Sequence, residues 1–445
     1  MFEHIVSDNG MLISGLILLV AYIFIAAEKI QKSVIALFGA SITLLLGLLP
    51  YHGHIDSNLG TYVKSVFEYV EFSVIFLLIG MMIIVYIASK SGVFKWVALE
   101  LLKATKGHPK TALFALAAFT AVASAFLDNV TTVVLIMPVT FVIAKELDVE
   151  PVPFLIAEVL ASNIGGTATL IGDPPNIIIG AKAGLSFMDF VNELTGIVFV
   201  IFLICIGVVI YMFRNELHAT EENMEHIANL DNSKTIKDKA LMIRSLITLF
   251  FVVVGFVTHD ITGIPAFAFA VAGASFLLLF EKPKAIYKDV EWLTIFFFVG
   301  LFIIIGGFEA NGGITFLADK LIELTNGSLN IATMLILWGS GLISGIVDNI
   351  PYTATMAPMI AHIISPANPN AMTGNVHALW WALSLGACLG GNLTIIGAAA
   401  NVIVSETASS KGFHISFFKF MKYGALVTFI SLTLSSIYLY LRFLH

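Results

Sequence analysis

Residues Asp128–Pro138 read DNVTTVVLIMP, and residues Asp348–Pro358 read DNIPYTATMAP. Each stretch puts a carboxylate and an amide at the centre of an apolar run, residues 110–145 in one case and 329–364 in the other. Both runs are too long for one membrane crossing. Each flank of the Asp-Asn pair has about 17 residues, roughly 25 Å of helix at 1.5 Å per residue, which falls short of a hydrocarbon core about 30 Å thick. The pattern predicts two re-entrant helical hairpins with Asp-Asn at their tips, since irregular backbone survives at membrane depth only where protein or a water-lined cavity satisfies it.

The rest of the chain supplies the membrane. Of 445 residues, 58% are hydrophobic and 12% charged, and mean hydropathy is +0.95, the composition of an all-α polytopic membrane protein. Besides the hairpins, ten crossings are predicted at residues 11–27, 33–50, 69–88, 154–181, 194–213, 244–259, 264–281, 290–309, 377–405 and 418–441. No separate soluble domain is expected. The start, MFEHIVSDNG, has no basic residue ahead of its apolar run, so the first helix is expected to stay in the membrane. Cys205 and Cys388 have neither zinc nor redox spacing and read as core thiols.

Basic residues orient the chain, because cytoplasmic loops of inner membranes are enriched in them. Counted over alternate loops, 19 of the 23 fall on one side and four, Lys64, Lys182, Lys320 and Arg442, on the other. Both termini are therefore expected outside, in a multi-pass plasma (inner) membrane protein. The first hairpin enters from the cytoplasm and the second from outside. The polar segment 214–243 reads as a solvated cytoplasmic linker.

On either side of that linker the sequence repeats. VEFSVIFLLIGMMII from Val70 matches VEWLTIFFFVGLFII from Val290, and GVFKWVALELLKATKG from Gly92 matches GGITFLADKLIELTNG from Gly312. Asp128 matches Asp348 at the same shift of 220, and GGTATLIGDPPN from Gly165 meets GGNLTIIGAAAN from Gly390 at 225. A constant shift over blocks containing Gly, Asp and Asn marks a true repeat. The units are 1–213, with its hairpin and a broken helix at 154–181, and 244–445, with its hairpin and a broken helix at 377–405. Five crossings per unit invert the second copy relative to the first. Inverted repeats are the architecture of secondary transporters, which bind solutes at mid-depth between the copies.

Four polar elements, two tips and two unwound Gly-Gly stretches, then converge. Candidate binding residues are Asp128, Asn129, Thr131, Thr132, Asn163, Gly165, Gly166, Thr167 and Thr169 on one half. On the other they are Asp348, Asn349, Gly390, Gly391, Asn392, Thr394 and Asn401. A transported Na⁺ would sit at Asp128, Asn129, Asp348 and Asn349; no other metal and no cofactor is expected. Asp128 and Asp348 also suit helix N-caps, and capping is compatible with ion binding. Asp173, in GDPPN, suits either a cap preceding Pro or a proton-coupling carboxylate that the second repeat lacks, its counterpart being Ala398. Glu158 is a second proton-coupling candidate, or pairs with a neighbouring polar group. Glu71 and Glu291 read as structural carboxylates at helix starts. The amphipathic segments Gly92–Gly107 and Gly312–Gly327 are expected at the interface, connecting a fixed part to a moving one.

DNVTTVVLIMP, NIGGTATLIGDPPN, VDNIPYTATMAP and GACLGGNLTIIGAAANV resemble the signatures of the ArsB/NhaD group of the ion transporter superfamily. That group holds arsenite pumps, sodium/proton antiporters, melanosomal P-protein-like carriers and citrate-transporter-like domains. The resemblance covers nearly the whole chain, and GDPPN and DNIPYTATM are nearer the P-protein branch than the arsenite pumps. It implies a scaffold and a transport domain, elevator-like alternating access, and a homodimer of the kind seen in dicarboxylate carriers.

Those carriers have neutral tips, whereas acidic tips favour a cation, a proton or a neutral oxyacid such as arsenous acid over an anion. Cation/proton antiport or arsenite/antimonite efflux is therefore expected. The alternatives are a sodium-coupled di- or tricarboxylate carrier and an ion channel. One ion falling through about 100 mV releases roughly 2.3 kcal/mol, which sustains a gradient of about 50-fold. No P-loop is present, so ATP would act only through a partner ATPase. Nothing points to an enzyme or to nucleic acid, and the expected partners are the lipid bilayer and a small inorganic solute.

Overall fold

The computed structural model describes residues 9–27, 29–49, 66–228, 232 and 235–445. Lys64 and Lys234, two of the topology markers, lie outside them. No strand occurs among the described residues, and the helices of eight residues or more follow the repeat. They begin with α1 (Gly10–Ala27), α2 (Lys32–Leu45), α3 (Phe72–Lys90) and α4 (Val93–Ala104). The first hairpin is α5 (Pro109–Ser124) and α6 (Asn129–Leu147), and the first broken helix is α7 (Val152–Gly166) with α8 (Pro174–Ala183), followed by α9 (Phe187–Met212). The linker contains α10 (Glu221–Ala228).

The second copy runs α11 (Lys239–Val257), α12 (Ala266–Leu278), α13 (Trp292–Ala310) and α14 (Gly313–Leu324). Its hairpin is α15 (Leu329–Ser344) and α16 (Asn349–Ile363), its broken helix α17 (His377–Gly390) and α18 (Ala399–Ser410), and it closes with α19 (Phe417–Leu439). Among the described residues, seven helices are long and apolar enough to cross a membrane by themselves. One is α6, whose 19 residues make it a longer hairpin arm than expected. The remaining crossings are made of shorter or broken helices.

Two packed groups emerge. α1, α2 and α13 pack together, as do α3, α11 and α12, with α3 also touching α13. The hairpins, broken helices, α9 and α19 form the other group, interlocked because α8 packs on α16 of the opposite repeat and α18 on α6. Between the groups lie the amphipathic α4 and α14, and α14 meets α15 at 118°. Lipid-facing surface is supplied by stripes such as Leu12, Leu16, Leu19 and Ile23 on α1, all exposed.

Ion pairs join residues that the lysine count assigns to one side: Lys90 with Glu281 at 2.9 Å, Lys182 with Glu309 at 3.6 Å and Arg442 with Glu193 at 3.2 Å. The linker is less solvated than its sequence implies. Leu217 and Ile227 are buried, Asn223 donates to the Leu147 carbonyl at the end of α6, and Asn232 donates to Glu100 on α4 at 2.6 Å.

Candidate functional site

The site is built at the two tips and the two breaks. Asp128 caps α6 by accepting from the Thr131 amide at 2.9 Å and its hydroxyl at 2.5 Å, while Thr132 donates to the Asp128 carbonyl. Asp348 caps α16 by accepting from the Ile350 amide at 3.0 Å. Capping thus holds for both tip aspartates. It fails for Asp173, which begins α8 but makes no capping bond.

Asp173 instead joins the two repeats. Asn129, behind the first tip, donates Nδ2 to its Oδ1 at 3.3 Å, and Asn349, behind the second, donates Nδ2 to its Oδ2 at 3.4 Å. From Asn129 the network runs on to Asn163 Oδ1 at 3.2 Å, and Asn163 Nδ2 donates to Asn392 at 2.9 Å and Asn401 at 3.0 Å. These six polar side chains are all buried, and they come from both hairpins and both broken helices.

The breaks have a mirrored construction. Asn401 Nδ2 donates to the carbonyls of Gly391 and Thr394 at 2.7 and 2.8 Å. Its repeat partner Asn176 donates to those of Thr167 and Thr169 at 3.1 and 2.9 Å. An unwound stretch exposes carbonyls with no intrahelical partner, and one asparagine per repeat satisfies them. Thr169 donates to the Ala125 carbonyl, and Thr394 donates to that of Gly345 at 2.6 Å, pinning each break to its own hairpin.

The Gly-Gly pairs do not themselves unwind. Gly165, Gly166 and Gly390 still end their helices and Gly391 follows directly, the chain leaving the helical path just beyond. What glycine permits is close approach: a Cβ on Gly165 would lie 2.1 Å from the Ala121 carbonyl oxygen, and one on Gly390 2.5 Å from that of Gly341. Thr167 is turned inward, donating to the Asn163 carbonyl at 2.8 Å.

Glu158 lies apart from this centre. Thr140 donates to its Oε1, and its buried Oε2 has no hydrogen-bond partner among the described residues. Glu71 and Glu291 stand at helix starts without capping them; Glu291 accepts from the Thr294 hydroxyl at 3.1 Å. Glu71 borders a cavity of about 120 Å³ together with Glu68, Lys182 and Glu309.

Sequence reasoning missed four participants. Asn176 was visible as the last letter of GDPPN and as the repeat partner of Asn401. Ser384 donates to its Oδ1 at 2.6 Å, and Cys388, a core thiol by sequence, donates to the same oxygen at 3.5 Å. Lys32, counted only as a topology marker, donates to Asp348 Oδ2 at 2.5 Å. Nothing local signals a contact spanning 316 residues. The centre offers a carboxylate and amide oxygens, hard donors suited to Na⁺ or a proton rather than to a soft metal.

The CitMHS family, described as citrate transporter, matches residues 22–386. A Mycobacterium bovis protein described as an uncharacterized transporter is 39% identical, over 96% of this chain and 97% of its own. The mouse P protein is 30% identical over 94% of this chain and 58% of its own. Among solved structures, the YdaH transporter of Alcanivorax borkumensis superposes with a TM-score of 0.57 at 16% identity, covering 97% of both chains. MtrF of Neisseria gonorrhoeae, described within a class of antimetabolite efflux pumps, gives 0.56 at 14%, over 96% of this chain and 95% of its own. At such identities the likeness is one of fold.

Proposed function

Because the chain belongs to the CitMHS citrate transporter family, and so is a multi-pass membrane transporter, we propose that it is a secondary carrier coupled to a proton or sodium gradient. The leading substrate class is a small inorganic cation or neutral oxyacid, moved by cation/proton antiport or arsenite/antimonite efflux. The observation that carries this is the position of Asp173, to which asparagines from both tips donate. A carboxylate at the meeting point of opposed hairpins can change its bonding to both when it gains a proton or cation, which is the coupling a carrier needs. Asp128, Asn129, Asp348 and Asn349 are proposed to contact the ion, and Asn163, Asn392 and Asn401 to hold the framework behind it.

Elevator-type movement of the hairpin group against α1, α2, α3, α11, α12 and α13 is supported by the separation into two packed groups, with α4 and α14 as the connecting arms. The family description favours a second reading, carriage of a di- or tricarboxylate. Acidic tips admit a polyanion only when cations neutralise them, and Lys32 already does so at one tip.

Reconstitution in liposomes with an internal pH dye separates the readings, with Na⁺, Li⁺, arsenite, antimonite and citrate added one at a time. Proton flux with Na⁺ or Li⁺ alone selects the antiporter, with arsenite or antimonite the efflux carrier, and with citrate the carboxylate carrier. Unchanged flux in Asp128→Asn, Asp173→Asn and Asp348→Asn alike would defeat the proposed site.

A further inference from the structure

The two tips are chemically unequal, and the inequality resides in one lysine. Lys32 opens α2, in the helix group opposite the hairpins, and its Nζ meets Asp348 Oδ2 at 2.5 Å. The Asp348 side chain is 4% exposed and that of Lys32 24%. Two close approaches set the register of α2 against its counterpart α12. The Ala36 backbone lies where a Cβ on Gly300 would fall, and the Ala270 backbone where one on Gly80 would fall. Gly80 and Gly300 are repeat partners at a shift of 220, so Ala36 corresponds to Ala270 and Lys32 to Ala266. Among the described residues, the first tip therefore has no counterpart to the lysine. Asp128 takes its bonds from Thr131.

Beside the lysine lies a cavity of about 300 Å³, bordered by Gln31, Lys32, Thr294, Asp348 and Glu406. Residues with hydroxyl, amide and carboxylate groups thus share its border with the Lys32–Asp348 pair, beside apolar ones such as Phe297 and Val402. A lysine ammonium is a compact point charge on a flexible stem, carrying the charge of an alkali cation at a fixed local concentration.

We propose that Lys32 is a tethered cation holding the place of a free monovalent cation at Asp348, so that Na⁺ or Li⁺ entering the adjoining cavity binds there by displacing it. The Asp128 tip, which lacks such a tether among the described residues, is the half of the site open to a cation from the start. Because Lys32 and Asp348 belong to different packed groups, the same displacement frees the second hairpin from α2. This rests on the reading of the tips as a cation site.

The test is a titration of thermal stability of the purified full-length protein in detergent, with NaCl replacing choline chloride at constant ionic strength. Lys32→Met should lower the half-saturating Na⁺ concentration at least tenfold, equivalent to 1.4 kcal/mol. Lys32→Arg, which keeps the charge, should stay near the native value. Adding Asp348→Asn to Lys32→Met should abolish the gain. If Lys32→Met does not fold, Lys32→Gln is used in its place. An unchanged half-saturation in the neutral variant, or a gain that survives Asp348→Asn, overturns the proposal. If Asp128→Asn alters the Na⁺ response while the neutral Lys32 variant does not, the tether alone is wrong. If no variant responds to Na⁺, the cation site and the tether fall together.

Discussion

Replacing Asn401 by Ala tests whether the breaks are held by side-chain staples. The native amide gives bonds of 2.7 and 2.8 Å to the Gly391 and Thr394 carbonyls, and its oxygen accepts from Asn163 at 3.0 Å. Truncation strands the buried Gly391 carbonyl and one Asn163 amide proton and leaves the Thr394 carbonyl with only the Gly397 N–H; Asn163 keeps its bond to Asn392. Buried unsatisfied groups cost about 1–3 kcal/mol each in soluble proteins, but side-chain bonds between membrane helices average only about 0.6 kcal/mol, with a maximum near 1.7. Three such bonds give an expected loss of about 2–4 kcal/mol. Asn401→Asp should be worse despite its equal size, since an ionised carboxylate turns acceptors toward both carbonyls. Unfolding of the detergent-solubilised protein, followed by tryptophan emission, reports on this region because Trp380 and Trp381 are buried in α17. Asn176→Ala should show a loss of similar size by the mirrored geometry. Stability of Asn401→Ala within about 0.5 kcal/mol of native, the scatter of ordinary surface changes, would refute the staple.

Gly165→Ala and Gly390→Ala should each destabilise by about 1–3 kcal/mol, as overpacking does, because each new methyl would meet a hairpin carbonyl; the same unfolding assay checks this. Glu158→Gln should retain substrate-driven proton flux in liposomes while Asp173→Asn loses it, since Glu158 bonds Thr140 away from the tips and Asp173 bonds both. Lys90→Ala should change stability by less than about 1 kcal/mol, the usual worth of a partly exposed pair. Ile227→Asp, at a fully buried linker position, should release the linker from the hairpin base and speed its cleavage by protease.

The hairpins, the broken helices and their repetition were legible in the sequence because a bilayer leaves few options for polar residues in an apolar run. A backbone that stops being helical at mid-depth must be marked locally by Asp-Asn, by Pro, or by an asparagine able to satisfy its carbonyls. The duplicate copy then confirmed each mark by its shift. Even the asymmetry of Asp173 against Ala398 could be read this way. The role of each acid could not, because a cap and a bridge use the same residue type: Asp128 and Asp348 proved to cap their helices, and Asp173 did not.

What the chain alone determined is the class of object, a duplicated membrane transporter with two acidic tips, since hydropathy, turn chemistry and repeat spacing are properties of neighbours in sequence. Which residues complete the site was decided only by tertiary packing. Asn349 reaches Asp173 across 176 residues and Lys32 reaches Asp348 across 316, because α8 crosses onto the opposite repeat and α2 packs along α13. Hydrogen bonds and ion pairs act over a few ångströms, and no periodicity in a one-dimensional string specifies which distant segments will be brought that close.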